Sequence, residues 1–222
     1  GYTLPKITAK WPDTEYNGLY VKPDGAYYIP GGNMYLGADV YLSPDVVLHE
    51  YGHFVMYNVY GNWFPTTNCP SPHWITSKSN NVCAWTEGWA NFFPLAVGNK
   101  SNFEYYGHYN IDFEYLITDP IFGWDKGDDV EGNVAASFYD LYDNNNDGYD
   151  IISAGPDYIW SIFSSKRRNT FYEFWQDWTL NKSIAKRILF QNYIDYDALP
   201  TIALVSPPNN SISKPVFKWS SQ

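Results

Sequence analysis

The chain is short of positive charge. Its 14 lysines and arginines face 24 aspartates and glutamates, giving a net charge of −10. Nucleic acids and anionic membranes bind basic surfaces, so neither is an expected partner. Long apolar runs are missing as well. Nowhere do about 18 apolar residues follow one another, which excludes a transmembrane helix. No signal-peptide pattern is visible and no internal repeat occurs. The chain opens at Gly1, as expected of a processed or trimmed product. There are two cysteines, Cys69 and Cys83. The stretch "NCPSPHWITSKSNNVC" reads as a loop rich in Ser, Asn and Pro, and a disulfide closing it fits an oxidising compartment. Sequons at Asn99, Asn181 and Asn209 agree with an extracellular or cell-surface location.

Aromatic residues are plentiful. They make up 20% of the chain, with 21 Tyr and 10 Trp, which excludes a disordered chain. The plain reading is a Tyr-rich core and surface. The sharper reading is a groove for an extended polymer. At 222 residues the chain can hold one sizeable core or two small ones.

Residues 1–42 read as turns and short strands. "GAYYIPGGNMYLGADVYL" sets Gly and Pro punctuation among Tyr, Ile, Val and Leu, which predicts a hairpin. An edge strand near Tyr35–Leu42 would then be open to a substrate backbone by strand addition. Ser43 predicts a helix N-cap, Pro44 the first helical position, Asp45 an acid at the positive end of the dipole, and Gly61 the stop. "AWTEGWANFFPLAVG" predicts a second helix, kinked at Pro94 and ended by Gly98. "DDVEGNVAASFYDLYD" predicts a third, and further helices are expected over 157–165, 169–181 and 184–192. Four prolines, at 200, 207, 208 and 215, exclude helix from the end of the chain. That end resembles the first strands of an immunoglobulin- or fibronectin-like module. The expected division is one domain over 1–199, then a linker and the truncated start of such a module over 200–222, with further domains of a longer native chain.

Histidine is scarce: the chain has four. Two of them stand in His49-Glu50-Tyr51-Gly52-His53, the pattern HExxH. On a helix, positions i and i+4 share a face, and two imidazoles there can bind one Zn²⁺. Glu50 is turned about 100° from His49, so it stands beside the metal and can take a proton from water. A catalytic zinc needs a third protein ligand and an open position. Glu87, on the second helix among Trp85, Trp89, Phe92 and Phe93, is the best candidate, since a buried carboxylate needs a partner. Asn91 lies one turn further and can hold the free ring nitrogen of a ligand histidine.

HEYGH followed by EGWANFF resembles the gluzincin class of zinc metallopeptidases, and especially fungalysin-like and related secreted peptidases. "EGNVAASFYDLYD" is similar to the helix that follows the ligand helix in that class. The resemblance covers roughly residues 35–145. It implies His49, His53 and Glu87 as zinc ligands, Glu50 as general base, Asn91 as the outer partner of a ligand, and a polypeptide as substrate. The sequence also departs from the class. Fungalysin- and thermolysin-type enzymes carry a His shortly before the third helix, where it stabilises the developing oxyanion. Here Trp124 to Val130 contain no histidine, and Asp128 or Asp129 takes its place. An ionised carboxylate would repel an oxyanion. "EYYGHYN" offers Tyr105, Tyr106, His108 and Tyr109 as other donors, with Tyr106 and His108 the leading candidates.

"DNNNDGYD" resembles the start of a Ca²⁺ loop, with Asp143, Asn145 and Asp147 at alternate positions, and reads equally as a polar turn ending a helix. His73 reads as an ordinary loop residue. The expected fold is α+β and zincin-like: a small twisted sheet packed on the HExxH helix, with a mainly helical remainder. The expected function is zinc-dependent peptide-bond hydrolysis by a secreted or cell-surface protein, with Ca²⁺ as a second candidate cofactor. Two rivals stand beside it: a non-catalytic surface or adhesion module with a structural metal, and a glycan hydrolase with paired carboxylates in an aromatic groove.

Overall fold

Short strands come first, because the N-terminal sequence is broken by Gly and Pro every few residues. The computed structural model describes residues 3–13, 15–16, 19–20, 23, 25–114, 123–146 and 148–197. In it β1 (Ala9–Lys10), β2 (Glu15–Tyr16), β3 (Leu19–Tyr20), β4 (Ala26–Tyr28) and β5 (Met34–Leu36) precede the first helix. The chain reverses at Gly31, whose φ of +77° is open to glycine without steric cost. This forms the expected hairpin, with Tyr27 opposite Tyr35 and their rings stacked at 4.8 Å. Alternation then sorts the faces: Met34 and Leu36 are buried while Tyr35 is partly exposed.

The sheet corrects one expectation. Its order is β1-β5-β4, with β1 parallel to β5. The strand at Tyr35 is therefore central, and residues 40–42 form a 3₁₀ turn. The edge strands are β1 and β4.

Helix α1 (Pro44–Val59) starts at Pro44 as expected and stops before Gly61, which has φ +66°. Ser43 does not cap it with its side chain; its hydroxyl instead accepts the backbone N–H of Tyr106. Met34, Leu36 and Val40 pack on Val46, Val47 and Tyr51 of this helix, so the sheet rests on α1.

Helix α2 (Asn81–Gly98) begins earlier than expected. Asn80 caps it by accepting the N–H groups of Val82 and Cys83, so Cys83 is helical. The helix runs on through Pro94, and the left-handed residue at its end is Asn99 (φ +48°), not Gly98. A hairpin of β6 (Asn102–Tyr105) and β7 (Tyr109–Asp112) follows, then α3 (Glu131–Tyr142), α4 (Gly155–Phe163), α5 (Phe171–Gln176) and α6 (Lys182–Gln191).

Helix α2 lies between α1 and α3, and glycines let the backbones approach. A Cβ on Gly52 would meet Ala90 Cα at 3.2 Å, and one on Gly88 would meet Val134 at 2.6 Å. Trp85 and Trp89 of α2 fill the centre. Trp89 stacks on Phe163 at 3.5 Å, and Trp85 is ringed by Phe138, Phe163, Phe171 and Phe174. Buried Arg168 binds the carbonyls of Ile162 and Phe163 at the C-terminal end of α4, where the helix dipole favours a cation. The described residues thus form a mixed α+β structure of six α-helices and small sheets. The expected boundary at 199–200 and the module beyond it lie outside the described residues.

Candidate metal centre

The i, i+4 spacing does what helix geometry requires. His49 and His53 stand one above the other on α1, their ring centroids 4.8 Å apart. Glu87 arrives from α2, held at this depth by the close approach at Gly52 and by Trp89 Nε1–H, which donates to the Gly52 carbonyl at 3.1 Å. Glu87 Oε2 lies 3.1 Å from His49 Nε2 and 3.3 Å from His53 Nε2. Burial alone would raise the Glu87 carboxyl. The neighbouring charges and hydrogen bonds of His53 and His49 outweigh it and hold the group well below the usual carboxylate range.

These donors fit a zinc ion. His49 Nδ1–H donates to Asn91 Oδ1 at 2.9 Å, so in the neutral ring Nε2 carries a lone pair. That nitrogen faces a carboxylate oxygen at 3.1 Å, and either a shared proton or a metal ion between them makes so close an approach favourable. In a tetrahedral site with bonds of about 2.0–2.1 Å, neighbouring ligand atoms sit about 3.3 Å apart. The two observed separations are close to that edge. The three donor atoms also lie within 4.8 Å of one another. Among the described groups, a second cluster of His73, Cys83 and Glu131 is different, because Cys83 is spent in the Cys69–Cys83 disulfide.

Glu50 is 7% exposed and stands on the same cavity wall. Burial pushes its carboxyl up to about 7. His49 and the Tyr28 backbone pull the other way, and Glu87 adds to the rise. The cavity has a volume of about 1080 Å³. Its base is His49, Glu50, His53, Glu87 and Asn91. Strand β4 forms one side, and Phe103, Tyr105, Tyr109 and Ile111 of the β6–β7 hairpin form another.

Tyr106 and His108 sit at the hairpin turn and do not line the cavity; Tyr105 and Tyr109 do. Asp128 and Asp129 do not line it either. Asp128 accepts from Asn81 and Tyr196, and Asp129 pairs with Lys78. Asp143 and Asn145 lie just after α3, with the Asn145 amide donating to Glu114, while Asp147 lies outside the described residues.

Sequence reasoning missed His73 and Glu131. His73 lines the cavity, and its Nδ1–H donates to Glu131 Oε2 at 2.8 Å. The signal available was the scarcity of histidine: three of the four line this cavity.

The family comparison relates the chain to secreted metallopeptidases. The profile of the mycolysin C-terminal domain matches residues 3–193, most of the chain, and the chain belongs to that family. Domains of this family are parts of secreted metallopeptidases of the mycolysin and fungalysin type, and the match assigns no catalysis to the domain itself. An uncharacterized protein of Archaeoglobus fulgidus is 26% identical over 128 residues, covering 54% of this chain and 36% of that protein. The match therefore spans little more than a third of that relative's length. No solved structure matches.

Proposed function

We propose that this domain hydrolyses peptide bonds with a zinc ion held by His49, His53 and Glu87, in a zincin-like arrangement of the gluzincin type. One observation carries the reading. The HExxH imidazoles and Glu87 converge within bonding reach of one ion, with Glu50 beside them and a cavity in front. Zinc in such a site acidifies water and polarises a carbonyl. The chain's own residues do the rest. Glu50 takes a proton from the attacking water as its oxygen bonds to the carbonyl carbon. When the C–N bond breaks, the same carboxyl gives that proton to the leaving nitrogen. Burial raises the Glu50 carboxyl and so makes it a stronger base for the first step. Asn91 keeps Nδ1 of His49 protonated, so that Nε2 remains the donor to metal. Edge strand β4 borders the cavity and offers main-chain hydrogen bonds to an extended polypeptide.

The disulfide and the secreted family support an extracellular or cell-surface location. The family name supports further domains in the native chain. It also favours one alternative, a non-catalytic module with a structural metal. Structural zinc is closed by four protein ligands, whereas the described residues here bring three together at an open cavity.

The test is zinc content and casein hydrolysis on one preparation. About one zinc per chain, with hydrolysis abolished by chelation and restored by zinc, is expected. Stoichiometric zinc in a protein that cleaves no peptide substrate would favour the module.

A further inference from the structure

The peptidase reading leaves the substrate's carbonyl oxygen without a cationic donor from the protein. Among the described residues lining the cavity there is no lysine or arginine, and in the peptidase reading His49 and His53 are taken up by the metal. We propose that His73, seated on Glu131, is the donor that stabilises negative charge on the carbonyl oxygen of the scissile peptide. This rests on the peptidase reading, and it takes the donor from the disulfide loop, not from the segment before the third helix.

The pair is built to hold a charge and present it. Glu131 is buried, its side chain 4% exposed, while the His73 side chain is 35% exposed. Nδ1–H is committed to Glu131, and the other ring nitrogen, Nε2, has no partner among the described residues. The open donor therefore belongs to a side chain on the cavity wall.

The loop that carries it is fixed to α3 and α2. Gly132 N–H donates to the Ile75 carbonyl at 2.9 Å, Ser79 N–H donates to Asp129, and Lys78 bridges Val130. Gly132 is required for this approach, because a Cβ there would lie 2.6 Å from the Ile75 oxygen and nearer still to the Trp124 ring. The Cys69–Cys83 bond ties the other end of the loop to the first turn of α2.

Charge agrees with geometry. The hydrogen bond that His73 donates to Glu131 lifts the imidazole to about 9 against the effect of burial. The acidic groups facing it are Glu131 on α3, Glu87 on α2 and Glu50 on α1; each favours the cation when ionised, and burial raises Glu131 and Glu50 while the hydrogen bond from His73 pulls Glu131 back down. A bare structural ion pair would have no use for an open donor in the cavity where an oxyanion forms.

The experiment compares wild type, His73→Gln and Glu131→Gln, each loaded with zinc. Steady-state cleavage of a peptide is measured with zinc content, and calorimetry measures binding of a peptidyl phosphonate, a tetrahedral anion. His73→Gln should keep its zinc and its KM, lose about 10²–10³-fold in kcat, and lose phosphonate affinity by a similar factor. Glu131 is a positioning residue, so Glu131→Gln should move the alkaline limb of kcat down from about 9 towards the ordinary histidine value of about 6.5. A merely structural role would not move that limb. Wild-type kcat and phosphonate affinity in His73→Gln overturn the proposal, as does loss of zinc, which would make His73 a ligand. A wild-type protein that neither cleaves peptides nor binds the phosphonate overturns the peptidase reading itself, and this proposal with it.

Discussion

Trp89 Nε1–H donates to the backbone carbonyl of Gly52, joining the helix of Glu87 to the helix of His49 and His53 at 3.1 Å. The bond is buried, and it sets how deep Glu87 sits against the two imidazoles. Glycines make that depth reachable. Gly88→Ala would place a methyl 2.6 Å from Val134 and 2.9 Å from the Glu131 carbonyl. Overpacking of this kind costs about 1–3 kcal/mol. Thermal unfolding should show a midpoint several degrees lower, and zinc titration a weaker site, because Glu87 is the neighbouring residue. An unchanged midpoint would mean that α2 and α3 are not packed this closely.

Asn91→Ala tests the partner of His49. The variant removes the acceptor of His49 Nδ1–H and leaves all three donors to metal in place. Loss of such an outer partner costs about 10–100-fold in metal affinity. Competition with a chromophoric chelator should show that loss. Wild-type affinity would show that the His49–Asn91 bond does not tune the site.

The disulfide gives a third test. Native protein should resist thiol alkylation until reduced, since Cys69 and Cys83 are bonded. Closing a loop of this size stabilises by roughly 3 kcal/mol in the chain-entropy account. Replacing both cysteines with serine should lower the unfolding midpoint and, because the loop carries His73, lower kcat more than it raises KM. Alkylation of the native protein at both cysteines would remove the bond.

Stability should depend on pH through His73. Its pKa rises from about 6.5 in the unfolded chain to about 9 in the fold, by its hydrogen bond to Glu131. Below about 6.5 both states hold the proton and the contribution is complete. Between about 6.5 and 9 only the folded state holds it, so stability falls as pH rises; above 9 the contribution is gone. The side chain is partly exposed, so solvent screens the pair and the effect is small. The difference in unfolding midpoint between wild type and His73→Gln, followed across that window, should shrink with rising pH. A difference constant from pH 6 to 10 would contradict it.

Much of the centre was legible because its signals are local. Pro44, the HExxH spacing and Gly61 define α1, and the aromatic setting of Glu87 points to the residue that meets the two imidazoles. What the sequence hid was non-local. The pairing of β1 with β5 is two residues long and parallel, so nothing in "MYLGADVYL" shows that its strand is central. Ser43 looked like a cap because its hydroxyl could serve its own helix, but the N–H it serves belongs to Tyr106. Asn80 is a good N-cap signal, lost inside a run of Ser and Asn that read as loop. His73 acquires its role from Glu131, far along the chain, and no spacing rule joins them.

In the proposed mechanism Glu50 is the base and stands beside the metal without binding it. Glu50→Gln keeps the shape of the side chain and leaves His49, His53 and Glu87 in place, but an amide cannot take the proton of water at neutral pH. Bound zinc and peptide turnover, measured on this variant with Glu87→Gln beside it, separate base from ligand. The expected result is full zinc and a steep loss of turnover in Glu50→Gln, with weakened zinc and lost turnover together in Glu87→Gln. Wild-type turnover in zinc-loaded Glu50→Gln would show that Glu50 is not the base.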